Sequence, residues 1–146
     1  MALLYGDFEC PYCAALAAKL HPIALRVAFR HFPVRSSHPR AWAAGCAAEA
    51  AACQGRFWEM HDLLFSDQGR LEDPHLWERA VELGLDLERF EADRRDPEIR
   101  ARVERDFQAG VRGGIVTTPT LILGESRYAG RIDTRVLREH GGADGS

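Results

Sequence analysis

Two cysteines separated by two residues, Cys10 and Cys13, carry the most specific chemical signal in the sequence. This spacing brings two sulfur atoms within bonding distance, so the pair can cycle between a dithiol and a disulfide. The same spacing also supplies two of the four ligands of a structural zinc site, and Cys46, Cys53 or a histidine could complete one. Because the sequence has no second Cys-x-x-Cys, we favour redox chemistry and keep zinc as the alternative.

The segments around this pair place it at the start of a helix. Residues 3–5 form a short apolar run that is typical of a strand, and Pro11 suits the first position of a helix, which needs no backbone N–H. Residues 13–20 then have high helix propensity. Because a helix N-terminus stabilises an anion, we expect a lowered pKa at Cys10. Cys10 is the predicted nucleophile, and Cys13 is the thiol that resolves the mixed disulfide.

The remaining patterns predict an α/β chain with a block of helices in its middle. Residues 25–29 alternate as in a half-buried strand, and the segment 39–111 has helical character throughout. Short strands at 120–123 and 127–129, followed by a helix at 133–139, complete the prediction. On the alanine-rich part of the helical block, Cys46 and Cys53 are too far apart for a disulfide, so we expect both to be buried packing thiols.

Composition limits the class of protein. With 146 residues and 46% hydrophobic content, the chain suits one domain, which we place at residues 1–140 with a helical insertion at about 38–96 and a disordered tail at 141–146. A net charge of -3 gives no basic surface for nucleic acid, and no apolar run is long enough to span a membrane. The sequence as it stands shows no secretory signal and predicts a cytoplasmic protein, unless a leader has been trimmed from it.

A proline stands directly before the third predicted strand. Pro119 follows Thr118 at a point where a proline cannot donate to the strand pairing, so a cis Thr118–Pro119 bond is plausible. Taken alone, Pro119 would be an ordinary loop proline, and it is the context that favours the cis bond. Together with this proline, the segments 5–13, 29–33 and 117–120 resemble the DsbA-type thioredoxin-fold oxidoreductases. Residues 55–65 strengthen the resemblance, which spans nearly the whole chain.

The resemblance implies a thioredoxin-like, four-stranded mixed sheet with an inserted helical block, in which Pro119 faces the dithiol. It also implies that the backbone at Thr118 pairs with an extended substrate segment. Tyr12, Phe8 and Val116 are expected around the dithiol as an apolar surface for a peptide, although Phe8 could equally belong to the core. The implied partners are proteins that carry disulfides or thiols, together with a regenerating redox partner.

Some positions depart from the family pattern or leave alternatives open. Members often carry a buried carboxylate six residues before the first cysteine, where this chain has Leu4. Asp7 or Glu9 could handle protons instead, although turn residues that face water are the simpler expectation for both. His31 and His38 could stabilise a thiolate, but histidines in such positions are more often surface side chains.

The predicted function is thiol-disulfide exchange on protein or small-molecule disulfides. No bound cofactor is implied, because the redox group is the Cys10–Cys13 disulfide itself. The Pro11-Tyr12 dipeptide also occurs in many glutaredoxins, so glutathione is a candidate reductant. The alternatives are a zinc- or partner-binding module without enzymatic activity and a glutathione-linked transferase or isomerase that would not need Cys13. A cytoplasmic location would favour a reductase or a sensor over an oxidase.

Overall fold

The computed structural model describes the backbone of residues 1–144 and the side chains of residues 1–140. Four strands and seven helices lie within the described residues. In chain order they are β1 (Ala2–Gly6), α1 (Pro11–Leu20), β2 (Val27–His31), α2 (Ala41–Ala52), α3 (Phe57–Ser66), α4 (Asp73–Glu82), α5 (Leu87–Asp93), α6 (Pro97–Arg112), β3 (Thr120–Leu123), β4 (Ser126–Ala129) and α7 (Thr134–Asp144).

The strands form one mixed sheet in the order β2-β1-β3-β4. β1 pairs in parallel with β2, so that Leu4 lies beside Phe29, and it pairs antiparallel with β3, so that Leu4 also lies beside Leu121. β3 and β4 form an antiparallel hairpin. The predicted α/β class and four-stranded mixed sheet are therefore confirmed. Since the dithiol follows the C-terminal end of the inner strand β1, it lies at that end of the sheet.

Both faces of the sheet are covered, as the alternation of side chains along β1 requires. Leu4 lies on the larger face and belongs to the main core, which also holds Leu16 of α1 and residues of the helical block. Tyr5 lies on the opposite face in a smaller cluster with Phe32 and Ile115. The position where the resemblance implies a buried carboxylate is thus filled here by an apolar core side chain.

Five helices, α2 to α6, occupy the chain between β2 and β3, where the sequence predicts the helical block. α2 packs against both α3 and α6, and α6 also packs against β2. Close packing of α6 requires a small residue at Gly110, where an added Cβ would lie 2.7 Å from the ring of Phe32. No helix among the described residues is long and apolar enough to cross a membrane.

Two elements, β2 and α7, differ from the sequence prediction by two residues or more. β2 begins at Val27 rather than at residue 25, because β1 begins at Ala2, which is the partner of Val27. Leu25 instead lies in a turn, where its backbone N–H donates to the carbonyl of Ile23 at 2.8 Å. At the other end, α7 continues to Asp144, into the segment 141–146 that was predicted to be disordered, and the last part of that segment lies outside the described residues.

Candidate functional site

Cys10 occupies the N-cap position of α1, with Pro11 as the first helical residue. The carbonyl of Cys10 accepts the first helical hydrogen bond, from the N–H of Ala14 at 3.2 Å. Its backbone N–H donates to the carbonyl of Asp7 at 3.1 Å, which closes the turn that leads out of β1. The Cys10 side chain therefore lies at the helix N-terminus, where the free N–H groups of the first turn favour a negative charge.

Cys13 lies one turn further along α1. Both cysteine residues are buried, each with 4% of its surface exposed, and both are free thiols. The backbone N–H of Asp7 points at the Cys13 sulfur at 3.5 Å. The turn before the helix thus contacts the second thiol, and the first thiol lies at the start of the helix.

The two thiols differ strongly in acidity. The pKa of Cys10 is lowered from 9.0 to about 6, chiefly by a hydrogen bond with the Cys13 thiol, against the opposing effect of burial. The Thr118 side chain and the backbone N–H groups of Cys13 and Tyr12 lower it further. The pKa of Cys13 is raised far above that of a free thiol, first by burial and then by the hydrogen bond and negative charge of Cys10. At neutral pH the pair consists of one thiolate and one thiol.

The loop before β3 lies against the sulfur of Cys10. The sulfur of Cys10 is 3.5 Å from the carbonyl oxygen of Thr118, and the Thr118–Pro119 peptide bond is cis, as expected. Thr118 and Pro119 are buried, and the Thr120 hydroxyl donates to the carbonyl of Thr117 at 2.7 Å, which fixes the loop. Residues separated by more than a hundred positions in the chain therefore meet at one sulfur atom.

Three apolar side chains were expected around the dithiol, and the structure separates them. Tyr12 is 52% exposed and Val116 is 89% exposed, so both are available to a partner molecule. Phe8 is only 1% exposed and stacks on Phe29 in the main core, with ring centroids 5.2 Å apart. Of the two roles considered for Phe8, core packing is therefore the one that the structure supports.

The expectation that Asp7 faces water is wrong. Asp7 is 1% exposed, and one of its carboxylate oxygens accepts the backbone N–H of Val34 at 2.8 Å and lies 3.0 Å from Nδ1 of His38. Its other oxygen accepts the backbone N–H of Glu9 at 2.7 Å. Since an ionised carboxylate only accepts, Nδ1 of His38 is the donor. These bonds tie the turn before Cys10 to the chain that follows β2.

His31 is also buried rather than on the surface. It is 2% exposed, and its Nε2 lies 2.7 Å from a carboxylate oxygen of Glu49 on α2. The other oxygen of Glu49 accepts a hydrogen bond from Arg102 on α6 at 3.1 Å. Burial raises the pKa of Glu49, but the hydrogen bonds and charges of His31 and Arg102 outweigh burial and lower it. This pair joins β2 to the helical block.

Two residues that contact the site, Arg40 and Gln68, were missed by sequence reasoning. Arg40 donates to the Glu9 carboxylate through its backbone N–H at 3.0 Å and through Nε at 2.8 Å. Gln68, in the turn after α3, donates through Nε2 to the carbonyls of Phe8 at 3.0 Å and Cys10 at 2.9 Å. No local pattern marks either residue, because each lies more than thirty positions from its partner.

The other two cysteines do not join the site. Cys46 is buried as expected, and burial raises its pKa to about 11. Cys53 is exposed, so the expectation that it is a buried packing thiol is wrong. Among the residues that the structure describes, no group of three or more His, Cys, Asp or Glu side chains is arranged to hold a metal ion. The zinc alternative therefore gains no ligand set from the described part of the chain.

Among proteins of known sequence, the chain is similar to proteins named as sodium/proton antiporters. The Na(+)/H(+) antiporter NhaA 1 of Mycolicibacterium gilvum is 38% identical over 141 residues, which cover 91% of this chain and 23% of that protein. The antiporter NhaA of Herminiimonas arsenicoxydans is 42% identical over 139 residues, which cover 91% of this chain and 22% of that protein. The chain thus spans less than a quarter of the length of these relatives.

Solved structures share the fold over almost the whole chain. A thioredoxin-like oxidoreductase from Silicibacter pomeroyi has a TM-score of 0.85 and 23% identity, and the match covers 98% of this chain and 84% of that one. The thiol-disulfide exchange protein alpha-DsbA2 from Wolbachia pipientis has a TM-score of 0.87 and 21% identity, with coverage of 97% and 80%. The thioredoxin family model matches residues 2–140. The chain therefore belongs to the thioredoxin family and has the fold of its DsbA-type members, a mixed sheet with an inserted helical block.

Proposed function

We propose that this protein is a thiol-disulfide oxidoreductase that acts on disulfides through Cys10 and Cys13. The single observation that carries the proposal is the placement of the two thiols: Cys10 lies at the N-cap of α1 with its sulfur 3.5 Å from the Thr118 carbonyl, and Cys13 is buried one turn further along. This placement lowers the pKa of Cys10 to about 6 and raises that of Cys13. The thiolate is the species that attacks a disulfide, and a neighbouring thiol that stays protonated can wait for the second step. This division of roles is what a two-step exchange requires.

The reaction balances with these two thiols alone. The Cys10 thiolate attacks one sulfur of the substrate disulfide, the substrate S–S bond breaks, and one substrate thiolate leaves while a mixed disulfide forms. Cys13 then gives its proton to the substrate thiolate that left first and attacks the sulfur of Cys10, which releases the second substrate thiolate. The substrate gains two electrons, and the dithiol becomes the Cys10–Cys13 disulfide. The same steps in reverse oxidise a pair of substrate thiols.

The surface beside the dithiol supports a peptide as the substrate. We propose that the backbone at Thr118 pairs with an extended segment of the substrate, since the loop of Thr118 and Pro119 lies directly against the sulfur of Cys10. Tyr12 follows Cys10 by two residues and Val116 precedes Thr118 by two residues, and both are exposed apolar side chains. Proteins with accessible disulfides or thiols are the partners that this surface suits.

The acidity of Cys10 bears on the direction of exchange. A stabilised thiolate belongs to the reduced form, so the lowered pKa stabilises the dithiol relative to the disulfide. This effect makes the disulfide a better oxidant than one with ordinary thiols. We therefore propose oxidation of partner thiols as the favoured direction, in contrast to the reductase or sensor role that the cytoplasmic prediction favours. The location itself stays a prediction of the sequence.

Reduction of insulin disulfides in the presence of dithiothreitol tests the proposal. The Cys10→Ser variant should lose the activity. When it is mixed with insulin without dithiothreitol, the Cys13→Ser variant should accumulate a mixed disulfide with the substrate that mass spectrometry detects. Cys53→Ser is the matched control, because it removes an exposed thiol that takes no part in the reaction. Full insulin turnover by Cys10→Ser would refute the proposal, and full activity of Cys13→Ser would favour the glutathione-linked alternative.

The names of the relatives favour a second candidate role. Since segments of proteins named as sodium/proton antiporters are 38% and 42% identical to this chain, we propose that the chain also serves as a redox module for such an antiporter. Sodium/proton exchange would be measured in vesicles that contain an antiporter of the same organism, with the oxidised or the reduced chain added. A difference between the two states is expected, and equal exchange in both would remove this candidate.

A further inference from the structure

The turn of residues 67–70, between α3 and α4, is held by two arginines. Arg40 donates to the carbonyl oxygens of the second and third residues of the turn at 3.2 and 3.3 Å. Arg79 donates to those of the first and fourth at 2.9 and 2.8 Å. All four carbonyls of the turn are thus bound by guanidinium groups, which are planar donors with fixed geometry.

Arg79 has no carboxylate partner among the described residues, although the residue is only 8% exposed. Its Nε is buried without a hydrogen-bond partner in the described part of the chain, so its contacts are the two carbonyls of the turn. Burying a cation costs free energy unless an opposite charge or hydrogen bonds compensate for the lost contact with water. We take this cost as a sign that the geometry of the turn matters.

The side chain of Gln68 projects from this turn to the dithiol loop. Its amide nitrogen has two hydrogens, and it contacts the carbonyls of Phe8 at 3.0 Å and Cys10 at 2.9 Å. The Cys10 carbonyl is also the acceptor of the first hydrogen bond of α1, from Ala14 at 3.2 Å. Gln68 therefore fixes the position of the N-cap residue, and with it the position of the reactive sulfur relative to the helix.

The acidity of Cys10 depends on that position, because the backbone N–H groups of Tyr12 and Cys13 lower its pKa. Such hydrogen bonds weaken steeply when the donor and the sulfur move out of line. We propose that Gln68, which lies in the helical insertion, is a positioning residue for the dithiol. Through the N-cap of α1 it sets the acidity of Cys10 and the reduction potential of the pair. The inference rests on the proposed function of Cys10, and it assigns the insertion a role in tuning the reaction.

The test compares Gln68→Ala with Gln54→Ala. Gln54 is a matched control, since its side-chain amide also bridges two backbone groups, the N–H of Asp86 at 2.9 Å and its carbonyl at 3.1 Å, in another part of the insertion. The thiolate absorbance of Cys10 against pH and the equilibrium of the dithiol with glutathione are measured for both variants. In Gln68→Ala we expect a higher pKa of Cys10 and a dithiol-disulfide equilibrium shifted toward the disulfide by about fivefold. Gln54→Ala should leave both unchanged.

A third variant tests the direction of the effect. Gln68→Glu replaces the donating amide with a carboxylate that repels the two carbonyls and adds a negative charge near the sulfur, so the pKa of Cys10 should rise more than in Gln68→Ala. An unchanged pKa in Gln68→Ala, or an equal change in Gln54→Ala, would overturn the proposal. Because absorbance needs no substrate, this result is independent of whether insulin is reduced, which tests the proposed function.

Discussion

The hydrogen bond with the Cys13 thiol is the largest of the effects that lower the pKa of Cys10. Replacing Cys13 with alanine removes this donor, whereas replacing it with serine keeps a hydroxyl donor at the same place. We therefore expect the pKa of Cys10 to rise in Cys13→Ala and to stay much closer to its value of about 6 in Cys13→Ser. The two variants differ by one polar atom, so packing changes are nearly the same in both.

The size of the rise follows from the structure. The change of the Cys10 pKa from 9.0 to about 6 corresponds to about 4 kcal/mol in favour of the thiolate. A hydrogen bond to a charged group contributes about 1.5–3 kcal/mol, which is about one to two pKa units. The Cys10 pKa in Cys13→Ala should then lie at roughly 7–8. At about pH 7 the thiolate fraction would fall from about nine-tenths to about one half or less.

Ultraviolet absorbance of the thiolate against pH measures this change. The titration is made with Cys46→Ala and Cys53→Ala in all variants, so that only the dithiol contributes, although the raised pKa of each already keeps it from titrating near 6. The reasoning is refuted if Cys13→Ala leaves the pKa of Cys10 unchanged. It also fails if alanine and serine raise the pKa of Cys10 equally, because the donor would then not be the cause.

Three further outcomes are expected. The unfolding free energy of the reduced protein, compared with that of its Cys10→Ser variant, should increase as the pH rises from about 6 to 9.0. The reason is that the Cys10 thiol ionises at a lower pH in the folded protein than in the unfolded chain. This gain is complete above pH 9.0 and is lost as the pH falls through about 6. Glu49→Ala should lower the unfolding free energy in urea by about 1–3 kcal/mol, because it leaves buried His31 without its partner. Gly110→Ala should lower it by about 1–3 kcal/mol, because the new Cβ would lie 2.7 Å from the Phe32 ring.

Each outcome has its own contradicting result. A pH-independent difference between the reduced wild type and Cys10→Ser would show that the folded protein does not lower this pKa. Glu104→Ala is the control for Glu49→Ala, since Glu104 forms an exposed pair with Arg35 and should cost under about 1 kcal/mol. An equal loss of unfolding free energy in Glu49→Ala and Glu104→Ala would show that burial does not make the Glu49 contact more stabilising than an exposed ion pair. A stabilised Gly110→Ala would show that helix propensity outweighs the contact with Phe32.

Much of the fold could be predicted from local patterns. Pro11 after Cys10 places the dithiol at a helix start, and the apolar runs locate all four strands within two residues of their observed positions. Helix starts and strand alternation depend on neighbouring residues, which is why they can be inferred without tertiary contacts. The positions of Asp7 and His31 could not be inferred in this way. Both look like polar surface residues in sequence, and distant partners bury them.

The sequence by itself determined the Cys-x-x-Cys pair and its position at a helix N-terminus, because these features depend on residues within a few positions of Cys10. Only the tertiary structure decided what surrounds the sulfur. Thr118 reaches Cys10 across 108 positions and Gln68 across 58. Such contacts leave no pattern of spacing in the sequence, because they arise from how the loop before β3 and the helical insertion pack against the start of α1. The dithiol and the largest of the effects that lower the pKa of Cys10 are local features of the chain, whereas burial and the contact with Thr118 come from the fold.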